Sequence, residues 1–238
     1  MNLEIRRWAF WSPETREPSE WREHWSRLDA RALDAKIQGR SVPAAQRRRM
    51  SALATLAVQI ATEAAGGTAA DFLVFASQHG DVTSMRAMLD DVAAGTELSP
   101  TMFSQSVHNA SAGLYTIISH SRAPVCALSS GASTFAAAWL EAEGFLSNHV
   151  DASVLLVSYD EALPPEYAAY SPQRQCAHAL GLLLRSARGE GVELAPAPPE
   201  HDQPLPMAPL FIAWFLSAEP SLRCTADGHG WLWRRSGV

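Results

Sequence analysis

The stretch RAPVCALSSGASTFAAAWLEAE, Arg122 to Glu143, constrains this chain more than any other. APVCAL is an apolar run of strand length. SSG is a small-residue turn, and GASTFAAAWLEAE has the composition of a helix. Many enzymes present a nucleophile on such a strand–turn–helix. Here the tip is Leu128, which has no nucleophilic atom. Strand alternation puts Cys126 on the same face as Leu128, one step further from the helix. A reactive cysteine needs a lowered pKa, which a helix N-terminus can supply. Cys126 stands back from that N-terminus and reads as a buried structural cysteine. Ser129 and Ser130 have no base supplied by any sequence feature, and read as caps of a helix starting near Gly131.

The rest of the chain supplies alternating strands and helices. Leu3 to Phe10 reads as a short strand, followed by irregular structure to about residue 45. QRRRMSALATLAVQIATEAAGG reads as one helix, with Met50, Leu53, Ala57, Ile60 and Ala64 at three- and four-residue spacing and Gly66-Gly67 as its stop. DFLVFAS is a buried-strand run. VTSMRAMLDDVAAG reads as a helix with Met85, Met88, Leu89 and Val92 on one apolar face. Ser99 as N-cap and Pro100 at the first helical position open a helical stretch through TMFSQSVHNASAGLYTIISHS. ASVLLVSY is a further apolar run, CAHALGLLLRSARGEG fits helix or strand, and GWLWRRS suits a final strand after a proline-rich linker, Ala195 to Pro209. Alternation of this kind predicts an α/β layered fold with a mostly parallel sheet.

Composition narrows the function. The net charge of −6 gives no reason to expect nucleic acid, whose binding faces are basic. The three cysteines are dispersed, with no CxxC, HExxH or Cys/His ligand cluster, so neither a disulfide framework nor a metal site is expected. No P-loop, GxGxxG or GxSxG is present, and no cofactor is expected. No apolar run reaches ~18 residues, so no membrane span is expected, and the charged, proline-broken start is unlike a signal peptide. The expected location is cytoplasmic.

Three polar groups invite a functional reading beside a structural one. His79 and Asp81 in SQHGD could form an acid–base pair, but Gly80 and a capping residue suit a strand-to-helix junction better. His108 and Asn109 precede Ser111, Ala112 and Gly113, small residues that permit close packing of a second backbone. Arg47, Arg48 and Arg49 form the one tight basic cluster. At a helix N-terminus three positive charges oppose the macrodipole, which leaves room for a partner bearing phosphate or carboxylates.

CALSSGASTFAAAWLEAE resembles the nucleophile stretch of β-ketoacyl synthases, members of the thiolase-fold superfamily. ASVLLVSYDE resembles the family's next strand, and QCAHALGLLLRSARGEG a later one, which favours strand for that segment. VPAAQRRRMSALATLAVQIATEA takes the place of the family's opening helix. SQHGDVTSM, SPTMFSQSVHNASAG and ALSSGAS, in that order, are similar to the chain-length-factor-type subunits of bacterial aryl polyene loci. The resemblance covers roughly Leu3 to Val192 and implies an N-terminal thiolase half over residues 1–192, with 193–238 as a linker and tail packed on the same domain.

The resemblance has two departures. Ketosynthases acylate a cysteine where this chain has Leu128, and their two catalytic histidines belong to a second thiolase half. His178, His201 and His229 match none of those motifs. The implied role is a non-catalytic subunit that pairs with an active β-ketoacyl synthase, as a heterodimer or heterotetramer, and serves an acyl carrier protein. Ala123, Pro124, Val125, Cys126, Ala127 and Leu128 would form the partner interface. Met102, Phe103, Val107, His108 and Leu128 are candidates for a tunnel wall, and Arg47, Arg48 and Arg49 for carrier-protein contact. The alternatives are a truncated acyltransferase using Cys126 or Ser129, and a homodimeric acyl-binding scaffold.

Overall fold

Strand order sets the architecture. The computed structural model describes residues 1–13, 41–171, 173, 175–201 and 205–237. Among them β1 (Asn2–Trp11), β2 (Phe72–Ala76), β3 (Val125–Leu128), β4 (Ser153–Asp160), β5 (His178–Ser186), β6 (Gly191–Ala197), β7 (Ser221–Ala226) and β8 (His229–Ser236) form one sheet. The order is β3-β2-β4-β5-β1-β6-β8-β7. The helices are α1 (Ala44–Arg47), α2 (Ala52–Ala65), α3 (Val82–Ala94), α4 (Pro100–Gln105), α5 (Ala110–Ser119), α6 (Thr134–Asn148), α7 (Pro165–Ala168) and α8 (Met207–Phe215). The irregular segment expected after the first strand falls largely on residues outside the described set, as do residues 202–204 of the proline-rich linker.

The layered α/β class expected from the sequence holds, but the sheet is not mostly parallel. β2 runs parallel to β3 and β4, while the β4–β5, β1–β5, β1–β6, β6–β8 and β7–β8 pairs are antiparallel. The connections explain the difference. A parallel neighbour needs a crossover long enough for a helix to return over the sheet. β2 to β3 and β3 to β4 have such helices, but among the described residues β4 to β5 contains only the short α7, and β7 to β8 is a tight hairpin.

Strand alternation builds two cores. Phe72, Val74 and Ala76 of β2, with Val154 and Leu156 of β4, face α6 and α8. Leu73 and Phe75, with Leu155, Val157 and Tyr159, face α2 and α5. A strand covered on both sides reads as a continuous apolar run, as β2 and β4 do. Gly181 of β5 lets α2 approach closely: a Cβ there would stand 2.7 Å from the Ala64 Cβ and 3.0 Å from the Ile60 carbonyl oxygen. The α6 side holds an aromatic cluster of Phe135, Trp139, Phe211 and Trp233, with Trp139 and Trp233 edge-to-face at 5.0 Å. Phe211 comes from α8 and Trp233 from β8, so the C-terminal segment extends the same sheet and covers the same core.

Two expected helices are each broken in two. Ser51 accepts a hydrogen bond from the Ala54 N–H and caps α2, which separates it from the one-turn α1. Ser99 caps α4 as expected, with its hydroxyl accepting from Met102 N–H, but that helix ends at Gln105 and α5 begins at Ala110. Gly66 and Gly95 close α2 and α3 in left-handed conformations, as expected. The apolar face of α3 differs: Met88 is buried, but Met85, Leu89 and Val92 are exposed. Among the described residues no helix is long and apolar enough to cross a membrane.

Candidate functional site

β3 lies at the end of the sheet, paired on one side with β2, Leu73 opposite Val125 through Ala76 opposite Leu128. The bonds from Leu73 N–H to the Pro124 carbonyl (3.0 Å) and from Ser77 N–H to the Leu128 carbonyl (3.3 Å) extend the pairing at both ends. Its other edge is unpaired among the described residues. Val125 is 40% exposed, and Cys126, Ala127 and Leu128 are half-buried. An apolar edge strand left open to water is an aggregation hazard unless something covers it.

The two faces of β3 lead to different surroundings. Cys126 and Leu128 share a face, as alternation requires, and pack against the α6-side core. Val125 and Ala127 line an open concavity of about 520 Å³ with His108, Asn109 and Gly113. The Cys126 thiol is pushed above its ordinary value by burial first, and then by the Glu141 carboxylate. That is the opposite of what a thiolate nucleophile requires. It is only half-buried, more open than a core cysteine.

The turn after β3 is held from three directions. The Ser129 hydroxyl donates to the Gln78 carbonyl at 2.9 Å. Ser130 N–H donates to Thr134 Oγ1 at 2.9 Å, and that hydroxyl donates to the Gly131 carbonyl at 2.6 Å. Ser129 and Ser130 are therefore not side-chain caps, and α6 starts at Thr134 rather than near Gly131. Ala132 N–H donates to Asp227 Oδ2 at 2.7 Å. Gly131 has φ +53°, and a Cβ there would lie 2.5 Å from the same oxygen.

A buried carboxylate pair organises the neighbouring strand end. Asp160 accepts from the Ser77 hydroxyl (2.8 Å), Gln78 N–H (3.0 Å) and His79 N–H (3.1 Å). Glu161 accepts from both the N–H (2.8 Å) and the hydroxyl (2.9 Å) of Thr83 in the first turn of α3. Burial raises the Glu161 carboxyl above its ordinary value. The Thr83 bonds oppose that rise, and nearby Asp81 and Asp160 add to it. Asp81 caps α3 by accepting from Ser84 N–H, so His79 and Asp81 serve a strand-to-helix junction. His108 Nε2 lies 2.9 Å from the Ser77 carbonyl and ties the α4–α5 loop to the end of β2.

The remaining sequence-selected residues spread out. Met102 is half-buried, while Phe103 and Val107 are 64% and 55% exposed. His108 is half-buried and meets β3 at the concavity, but Leu128 packs on the α6-facing side of the sheet. None of the five wall candidates is buried in the chain by itself. Arg47 lies in the last turn of α1, not at a helix N-terminus, and Arg48 and Arg49 follow it on the surface. Arg47 thus sits at a helix C-terminus, where a basic residue is favourable, while Arg48 and Arg49 stand just before the Ser51 cap of α2. Among the described residues no group of three His, Cys, Asp or Glu could hold a metal ion. Asp160, Glu161 and Asp227 were missed from sequence. YDE at a strand end and Asp-Gly before GWLWRR were the available signals.

The profile of the β-ketoacyl synthase N-terminal domain matches residues 19–234. The chain belongs to this family. The match reaches well beyond Val192, into the aromatic tail that carries no recognisable motif. Comparison with curated proteins gives no match. Among solved structures, a chain from the complex of the ketosynthase ApeO with its chain length factor ApeC, from Xenorhabdus doucetiae, is 26% identical with a TM-score of 0.85. The alignment covers 99% of this chain and 100% of that one. The ishigamide ketosynthase/chain length factor is 15% identical with a TM-score of 0.61, over 82% of this chain and 68% of that one. A β-ketoacyl synthase from Burkholderia phymatum is 14% identical with a TM-score of 0.62, over 81% and 64%. These last two share the ketosynthase fold with this family member.

Proposed function

We propose that this family member is a non-catalytic, chain-length-factor-like subunit. It pairs with an active β-ketoacyl synthase and helps line the tunnel for the growing chain in acyl-carrier-protein-dependent aryl polyene biosynthesis. The observation that carries the reading is Leu128, apolar at the position where ketosynthases acylate a cysteine, on a strand whose outer edge is open. The likeness to a chain of the ApeO–ApeC complex over essentially the whole of both chains supports it. So do the exposed Val125, Val107 and Phe103, large apolar side chains that a partner would cover. Met102, His108 and Leu128 complete the proposed wall, and Arg47, Arg48 and Arg49 are the proposed contacts for the acidic carrier protein.

The acyltransferase alternative draws little support from this geometry. The Cys126 thiol is raised rather than lowered, and the Ser129 hydroxyl is committed to the Gln78 carbonyl. The deciding experiment is co-expression with an active-site-cysteine ketosynthase from the same genome, followed by affinity purification through a tag on this chain alone. A stoichiometric complex is expected. A monodisperse, stable chain that leaves the ketosynthase in the flow-through overturns the proposal.

A further inference from the structure

The turn between β3 and α6 is fastened by a segment almost 100 residues later in the chain. Asp227 and Gly228 form the β7–β8 hairpin turn with φ +51° and +74°, positive at both central positions as a type I′ turn requires. The tip points the Asp227 carboxylate at the β3–α6 turn, where Oδ2 accepts from Ala132 N–H at 2.7 Å. Two further bonds join the same pair of segments. Trp231 Nε1–H donates to Ser133 Oγ at 3.1 Å, and the Ser133 hydroxyl donates to the Ala226 carbonyl at 3.3 Å. Gly131 complements the arrangement, since the space a Cβ would take belongs to the carboxylate.

We infer that Asp227 is a positioning residue: its carboxylate fixes the Ser129–Ser133 turn and thereby the end of the open strand that carries Leu128. The consequence for docking rests on the proposed pairing with a ketosynthase; the positioning itself does not. α6 has no side-chain N-cap from its own Ser133. The distant hairpin supplies a carboxylate to the turn instead, where a negative charge also suits the start of a helix. A turn held this way presents Leu128 in one conformation rather than several, which lowers the ordering cost of docking.

Two substitutions separate this role from simple turn formation. Asp227→Gly keeps the positive φ and loses the acceptor. Asp227→Asn keeps both, since asparagine tolerates the left-handed region and its amide oxygen can accept. Amide exchange at Ala132, measured by NMR on the whole chain, is expected to quicken about tenfold or more in Asp227→Gly and to stay near wild type in Asp227→Asn. Trp231→Phe, which leaves the turn residues intact, is expected to loosen the same turn in the same direction. Equal exchange at Ala132 in wild type and Asp227→Gly overturns the inference, as does equal loss in both Asp227 variants. Affinity for the co-expressed ketosynthase is expected to fall about tenfold in Asp227→Gly alone. If the wild-type chain binds no ketosynthase, the proposed function fails while the exchange measurement still decides the role of Asp227.

Discussion

His178 is fully covered, with Nδ1 2.9 Å from the Cys176 carbonyl and Asp160 opposite it across the β4–β5 ladder. Burial lowers its pKa below the ordinary 6.5, although Asp160 and the Cys176 carbonyl pull the other way. The sign follows from proton counting: below pH ~6.5 the unfolded chain binds a proton that the folded chain refuses, so stability falls as pH drops through that window. Glu161 and Glu143 act oppositely. Their raised pKa values give stability that is present below the ordinary carboxylate range and lost as pH rises through the raised values. A difference experiment isolates His178. The variant His178→Asn can keep the bond to Cys176, and denaturant unfolding at pH 7.5, 6.5 and 5.5 should give it a shallower fall than wild type. The difference between the slopes should approach but not exceed about 1.4 kcal/mol per pH unit. Parallel curves would refute a neutral buried His178. Nothing local in sequence marks this residue, because its surroundings come from strands joined only by the fold. By contrast, Asp81, Ser99 and Gly66 were legible, since a cap and its helix are neighbours in the chain.

Elements were legible where their period was complete and unclear where a break interrupted it. β1, β2, β4 and β8 appear where the apolar runs place them, while the run of β5 fits helix or strand and only the family resemblance favours the strand observed. The breaks before α2 and between α4 and α5 were hidden, because apolar spacing continues through them while the chain turns away. The exposure of Met85, Leu89 and Val92 has a related cause: an amphipathic pattern shows that a face will be covered but not which molecule covers it. α3 reaches that position through Asp160 and Glu161. The two carboxylates hold the loop before it and its first turn from the end of β4, 78 to 83 residues away in sequence. Asp160→Ala leaves three donors unmatched in a buried site and is expected to cost about 3 kcal/mol in unfolding free energy. Hydrogen exchange across residues 77–94 should quicken more than across α2. A uniform change throughout the chain would show that Asp160 does not act through α3.

At the scale of the molecule, the resemblance captured the frame up to Val192, but the match runs on to residue 234. The reason is physical: β6, α8, β7 and β8 hold their place by aromatic packing of Phe211 and Trp233 against Phe135 and Trp139, which many sequences could satisfy. The same tail also supplies Asp227 to the turn beside Leu128, so its contribution to the candidate site is invisible without the fold. Leu128→Cys tests the whole arrangement. The new thiol would sit half-buried at the end of β3, on the face it shares with Cys126, whose own thiol is raised by burial and Glu141. Condensation also needs groups that activate the thiol and the malonyl unit, and under the proposed function the paired ketosynthase supplies them. The variant alone, supplied with acyl and malonyl carrier proteins, is therefore expected to form no carbon–carbon bond above background by mass spectrometry. Measurable condensation by the isolated variant would show that this chain retains a working catalytic site and would overturn its reading as a non-catalytic subunit.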